Sequence, residues 1–134
     1  MHRSFLLAVI LFSSGQSFAS PVSMLCNTSS DNNETYEFEV TADEKTHNIA
    51  HKGKSEGGRV FSTDGVFSVG ELSYKDVRCS SGACFIDQFT INRVDLSVMH
   101  LWKGEAVDKS LGVAPREIIR RGSCTIIDVP ERKF

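Results

Sequence analysis

Long apolar stretches are missing from this chain. The longest unbroken run is residues 5–12, FLLAVILF. Eight residues are too few to cross a bilayer as a helix, which takes about 20. An excess of either charge is missing too. With 15 basic and 17 acidic side chains, and no basic stripe interleaved with aromatics, the composition argues against a nucleic-acid binder. Nowhere does apolar spacing follow the i, i+3, i+4, i+7 pattern of a long amphipathic helix. No internal repeat and no low-complexity tract occurs. No Cys-x2-Cys pair occurs, and no histidine stands near the close-spaced cysteines, so the ligand spacing of a structural zinc site is absent.

What is present begins with a leader. Met1-His2-Arg3 gives a short basic start, the apolar run follows, and Ser17-Phe18-Ala19 puts small residues where a signal peptidase reads. This is the pattern of a secretory signal over residues 1–19, cut between Ala19 and Ser20. Residues 20–134 then form a single domain, enough for one core. Losing Arg3 leaves 14 basic and 17 acidic residues, a net charge of about −3. The expected destination is outside the reducing cytosol: secreted, and periplasmic if the host is bacterial.

Four cysteines remain: Cys26, Cys79, Cys84 and Cys124. An even count in a secreted chain reads as two disulfides, with three connectivities possible. The favoured one closes a local loop, Cys79–Cys84, and ties the two ends, Cys26–Cys124. Cys26 lies well past the apolar run, in a context unlike a lipid attachment site.

Period-two alternation dominates the rest. In residues 35–41, Tyr36, Phe38 and Val40 share one face while Glu37, Glu39 and Thr41 share the other, as in a half-buried strand. A turn at residues 43–45 returns the chain through 46–51. The rival is a helix capped by Thr41 and Glu44 and stopped at Gly53. With only Ile49 and Ala50 to bury, that helix lacks an apolar face, so the hairpin is preferred. Strand character recurs at 59–62, 66–69, 71–79, 85–93, 96–102 and 122–129. Turns are expected at 63–65 and 103–105, and a loop at 109–115. Residues 20–34 read as a polar loop or loose arm, and 117–121 as too short to classify. Seven or eight short strands predict an all-β fold, a small antiparallel barrel (lipocalin-like) or a sandwich, stapled by two disulfides. Closure into a barrel removes exposed strand edges and is favoured for that reason.

Candidate chemistry is sparse. His47 and His51 stand four apart. On a strand that is about 13 Å at about 3.3 Å per residue, too far to share a metal ion, so they read as exposed. Ser68 lies between Gly65 and Gly70 without the spacing of a nucleophile elbow. Glu37 and Glu39 fall on the wet strand face, and with Asp43 and Glu44 they read as solvated. Arg116, Arg120 and Arg121 read as a solvated edge. Asn27 and Asn33 head glycosylation sequons that matter only in a eukaryotic host. Trp102, the single tryptophan, fits either a barrel plug or a surface anchor for a partner. No nucleophile–base set and no metal set is visible. The expectation is a non-enzyme with no cofactor and no metal site.

Two resemblances follow. Val66-Phe67, then Phe89-Thr-Ile-Asn-Arg93, then Gly122-Ser-Cys124 resemble a broad group of bacterial secreted proteins without assigned activity, which implies a small periplasmic β-barrel. Ser81-Gly-Ala-Cys-Phe85 and Trp102-Lys-Gly-Glu-Ala106 resemble the two motifs of the C-type lysozyme inhibitors of Gram-negative bacteria. Here Trp102 stands where those proteins carry threonine, and Cys84 lies inside the first motif. That likeness implies a loop inserted into a lysozyme active site, with Ser81 and Lys103 donating hydrogen bonds to catalytic carboxylates. The sequence thus implies a secreted, non-enzymatic binding or envelope-associated barrel of unknown ligand, with Ser81, Trp102 and Lys103 as candidate binding residues. Two alternatives stay open: an inhibitor of a lysozyme-like hydrolase, and a carrier of a small apolar ligand.

Overall fold

The computed structural model of the protein describes residues 20–55, 58–106, 112 and 114–127. The expected leader and the expected strand end at residues 128–130 lie outside them. Nine strands follow in chain order: β1 (Val22–Ser29), β2 (Thr35–Asp43), β3 (Asn48–Gly53), β4 (Val60–Asp64), β5 (Val66–Phe67), β6 (Glu71–Ser80), β7 (Ala83–Asn92), β8 (Ser97–Ala106) and β9 (Arg116–Ile127). No helix occurs among the described residues. The expected hairpin over residues 35–51 is present as β2 and β3.

All nine strands form one antiparallel sheet in the order β4-β3-β2-β1-β9-β8-β7-β6-β5. Strands adjacent in the chain lie side by side, and the first pairs with the last through a ladder from Ser23–Ile127 to Ser29–Arg121. The result is a nearly closed barrel. Its one interruption falls between β4 and β5, which are consecutive yet do not pair. Gly65 bends the chain there, so β4 bonds to β3 and β5 bonds to β6. A Cβ on Gly65 would sit 2.7 Å from Ile49 Cγ1, and the Gly65 amide donates to the His47 carbonyl at 2.7 Å. Only a residue without a side chain can turn this tightly against the core.

Alternation explains the core. Met24 and Cys26 from β1, Phe38, Val40 and Ala42 from β2, and Ile49 from β3 are fully enclosed. Leu72, Tyr74, Phe89, Ile91, Val98 and Cys124 complete the cluster from the other half. At the end that carries the β2–β3 and β7–β8 turns, Arg93 acts as a plug. Its guanidinium pairs with Glu44 at 2.7 Å, donates to the Ser68 carbonyl, and lies 5.8 Å from the centre of the Phe67 ring.

The expected disulfides are both present, and each bridges two directly opposed strand residues. Cys26 faces Cys124 across β1 and β9, and Cys79 faces Cys84 across β6 and β7. Residues 20–34 correct the sequence reading: most of them form β1, a central strand. Its inward face (Val22, Met24, Cys26, Thr28) holds too few large apolar residues to stand out, and β1 is ordered by its pairing with both β2 and β9. Residues 103–105, expected as a turn, continue β8 in register with β7 and β9. Residues 117–121 belong to the twelve-residue β9.

Loop length sets the value of each crosslink, because a longer closed loop removes more freedom from the unfolded chain. With separations of 98 and 5 residues, breaking Cys26–Cys124 with paired alanines should cost about 4 to 5 kcal/mol, and breaking Cys79–Cys84 about 2. Urea unfolding of the two double variants checks the ranking. Equal losses would show that chain entropy is not what the long bridge contributes.

Candidate functional site at the barrel mouth

The opposite end of the barrel is open and polar. There the sheet is uneven. The β1–β9 ladder stops at Ser29–Arg121, while the β8–β9 ladder continues to Gly104–Arg116 and the β6–β7 ladder to Ser80–Ala83. Four strands, β6 to β9, therefore stand up past the mouth on one side as an extension.

Inside the mouth, inward positions that should be apolar are polar. His51 is buried between two phenols: Tyr36 Oη lies 2.9 Å from His51 Nε2, and Tyr74 Oη lies 2.8 Å from Nδ1. A neutral imidazole satisfies this arrangement, donating from one nitrogen and accepting at the other. Burial, helped by the nearby His100, pushes the His51 pKa down to about 4. Burial likewise pushes Tyr36 up to about 12 and raises Tyr74 well above the usual phenol value. The sequence reading of His51 as exposed is thus corrected. Its position on β3 faces inward with Ile49, and two hydroxyls make that burial tolerable. His47 fits the reading. It sits exposed in the β2–β3 turn at positive φ, edge-on to Phe67.

A second histidine lies nearby. His100 Nε2 donates to Asp87 Oδ1 at 2.7 Å, and Arg78 Nη2 donates to Asp87 Oδ2 at 2.9 Å. Burial alone would raise the Asp87 pKa. The hydrogen bond and field of His100, followed by those of Arg78, outweigh it and hold the carboxyl below the ordinary aspartate range. The His100 ring stacks on Phe89 at 4.3 Å. Its Nδ1 is buried and has no partner among the described residues.

Tyr36, Asp87, Phe89 and His100 line a cavity of about 220 Å³. Three guanidiniums enter it from different places: Arg59 just before β4, Arg78 on β6 and Arg120 on β9. Arg59 holds Asp76 through Nε and Nη2 at 3.2 and 2.7 Å. Arg120 reaches Glu34 at 3.2 Å. Arg120 therefore corrects the sequence reading of a solvated edge, whereas Arg116 and Arg121 are exposed. Of the hydroxyls lining the cavity, Tyr36 is bound to His51, and neither Tyr36 nor Ser55 hydrogen-bonds to His100. The His100–Asp87 pair thus has two members of a nucleophile–base–orienter set, and no described residue completes it as a nucleophile.

The residues singled out from sequence lie on the extension. Ser81 and Gly82 form the β6–β7 turn at φ 50° and 78°, the left-handed geometry that tight hairpins use. Trp102 is half-buried on the inner face, in register with Asp87 and Ile118. It stacks on Phe85 at 5.9 Å. Lys103 follows on the outer face, in register with Ile86 and Glu117. The fold brings the two motif segments side by side, since Ala83 faces Ala106 and Phe85 faces Gly104. It separates Trp102 from Lys103 by putting them on opposite faces. Among the described residues no cluster of three or more metal-ligating side chains occurs, and no helix is long and apolar enough to cross a membrane. Compared with protein-family models, curated proteins and solved structures, the chain matches none.

Acid stability tests the buried histidine. With a pKa near 4 folded and near 6.5 unfolded, the unfolded chain binds more protons between those values, so stability falls as pH falls through that window. The loss is on the order of 3 kcal/mol. The depressed Asp87 adds its own loss only below about pH 4, as that carboxyl protonates. Urea midpoints of His51→Gln should vary much less between pH 6.5 and 4 than those of the native chain. An unchanged slope would place the acid sensitivity elsewhere.

Proposed function

We propose that this chain is a secreted, non-enzymatic binding protein whose contact surface is the four-strand extension above the barrel mouth. The observation that carries this reading is the aromatic pair Phe85–Trp102. Both rings are half-buried, stacked on one another, and outside the enclosed core. A folded chain gains little by keeping a large aromatic pair partly wet, whereas a partner gains an anchor. The Cys79–Cys84 bridge stiffens the hairpin beside it, which lowers the ordering cost of binding.

If the pair serves a partner, its removal spares the fold. Trp102→Ala should cost about 1 kcal/mol, against about 3 to 5 for the enclosed Phe89→Ala. Denaturant titration decides, and a Trp102→Ala loss as large as that of Phe89→Ala would make the pair structural.

A second reading, inhibition of a lysozyme-like hydrolase, is favoured by one feature. The Ser81 turn and the 103–106 segment, which resemble the inhibitor motifs, are neighbours on one projecting end. A stapled hairpin tip is shaped to enter a cleft, and Ser81 and Lys103 can donate to carboxylates there. Purified protein should then slow C-type lysozyme near one-to-one stoichiometry, and Lys103→Ala should weaken this at least tenfold. Full lysozyme activity at large excess ends this reading. The carrier reading finds less support, because the barrel interior is filled by Phe38, Phe89, Met24, Ile49, Leu72 and Ile91. An apolar ligand needs an enclosed apolar space, and the mouth cavity sets three arginines and Asp87 beside its aromatic residues.

A further inference from the structure

The mouth cavity lies beneath the extension and does not depend on any partner of that surface. Its wall carries three guanidiniums, Arg59, Arg78 and Arg120, against one lining carboxylate, Asp87. Apart from Asp87, which Arg78 holds at 2.9 Å, the partners that neutralise them stand aside. Asp76, shared by Arg59 and Arg78, does not line the cavity, and Glu34, bound to Arg120, sits on the rim with its side chain 57% exposed. Arg59 uses only Nε and Nη2, and Arg120 only Nη2, so donors remain on each fork. Five N–H groups in a planar fork match the two oxygens of a carboxylate.

The wall has a second character. Tyr36, Phe61 and Phe89 also line the cavity, and they belong to the stacked aromatic set around His51. A planar apolar body fits against such rings. The third observation is His100. Its side chain is 97% buried, it lines the cavity, and no described residue supplies a partner for Nδ1. A buried polar atom left unsatisfied is costly, and His100 is one of the residues that line the cavity.

From these three features we propose that the mouth is a binding site for a small aromatic carboxylate. Its acid group lies between the arginines and its ring rests on the Tyr36–Phe61–Phe89 wall. The volume of about 220 Å³ limits the ligand to roughly one ring and its acid. Neutral aromatics lack the charge that pairs with the arginines, and inorganic oxyanions lack the ring.

Isothermal titration of the full-length oxidised protein tests this with benzoate, benzamide and inorganic phosphate as probes. Benzoate should bind saturably, and the other two at least tenfold more weakly. Arg120→Gln should weaken benzoate at least tenfold. Arg121→Gln, one residue along on the outer face, should leave it unchanged. Equal binding of benzamide would remove the role of charge, and equal binding of phosphate would remove the role of the ring. Equal losses in the two arginine variants would reduce the effect to general electrostatics. No saturable binding of benzoate overturns the site altogether, while leaving the extension's partner surface untouched.

Discussion

Pairing of β1 with β9 turns a run of hairpins into a barrel, and every interior contact depends on that seam holding. Hairpins form locally, but this closure joins positions 98 residues apart, so the chain must give up loop entropy before the contact contributes anything. The Cys26–Cys124 bond removes that cost from the unfolded ensemble in advance. The seam is also drawn tight by shape. Gly122 lies so close to β1 that a Cβ there would overlap the Asn27 carbonyl, and this brings Thr28 and Cys26 within reach of β9. At the far side of the barrel, Gly65 does the complementary job by letting one stretch of chain serve β3 and then β6.

Much of this is legible in the amino-acid sequence. Tyr36, Phe38 and Val40 announce β2 because their outward neighbours Glu37, Glu39 and Thr41 are polar, and the short Cys79–Cys84 spacing announces a local loop. What escaped notice did so for physical reasons. In β1, Val22, Met24, Cys26 and Thr28 alternate with Ser23, Leu25 and Asn27, so neither face contrasts sharply with the other. Lys103, Gly104 and Glu105 carry turn composition, yet their pairing on both sides overrides local preference. The mouth residues escaped for another reason. Asp87, His100 and His51 lie on inward registers of otherwise apolar strands: Asp87 two before Phe89, His100 two after Val98, His51 two after Ile49. A polar residue at an apolar beat is a readable signal, but it says only that a partner exists. That Asp87 meets His100 and Arg78, and that His51 meets two tyrosines, depends on strand register.

The two ends of the barrel solve one problem differently. Each must cap an apolar interior without leaving polar backbone dry. The β2–β3 end uses Arg93, held by Glu44 and the Ser68 carbonyl, which seals the barrel with a charge that has its partners. The mouth distributes charge over three arginines, with Asp87 in the wall beside Arg78 and the other two acids, Asp76 and Glu34, outside the cavity lining. One end is satisfied from within the chain, and the other keeps donors and a buried ring nitrogen in reserve. That asymmetry, together with the uneven strand ends, distinguishes the open mouth from the sealed end.

The placement of the few chromophores has a practical consequence. The lone tryptophan sits on the extension, while both tyrosines, 36 and 74, lie at the mouth around His51. Excitation in the red edge of the indole band therefore reports on the projecting sheet alone, and the phenol bands report on the interior. One sample can then distinguish an event at the rim from loosening of the barrel by which emission changes.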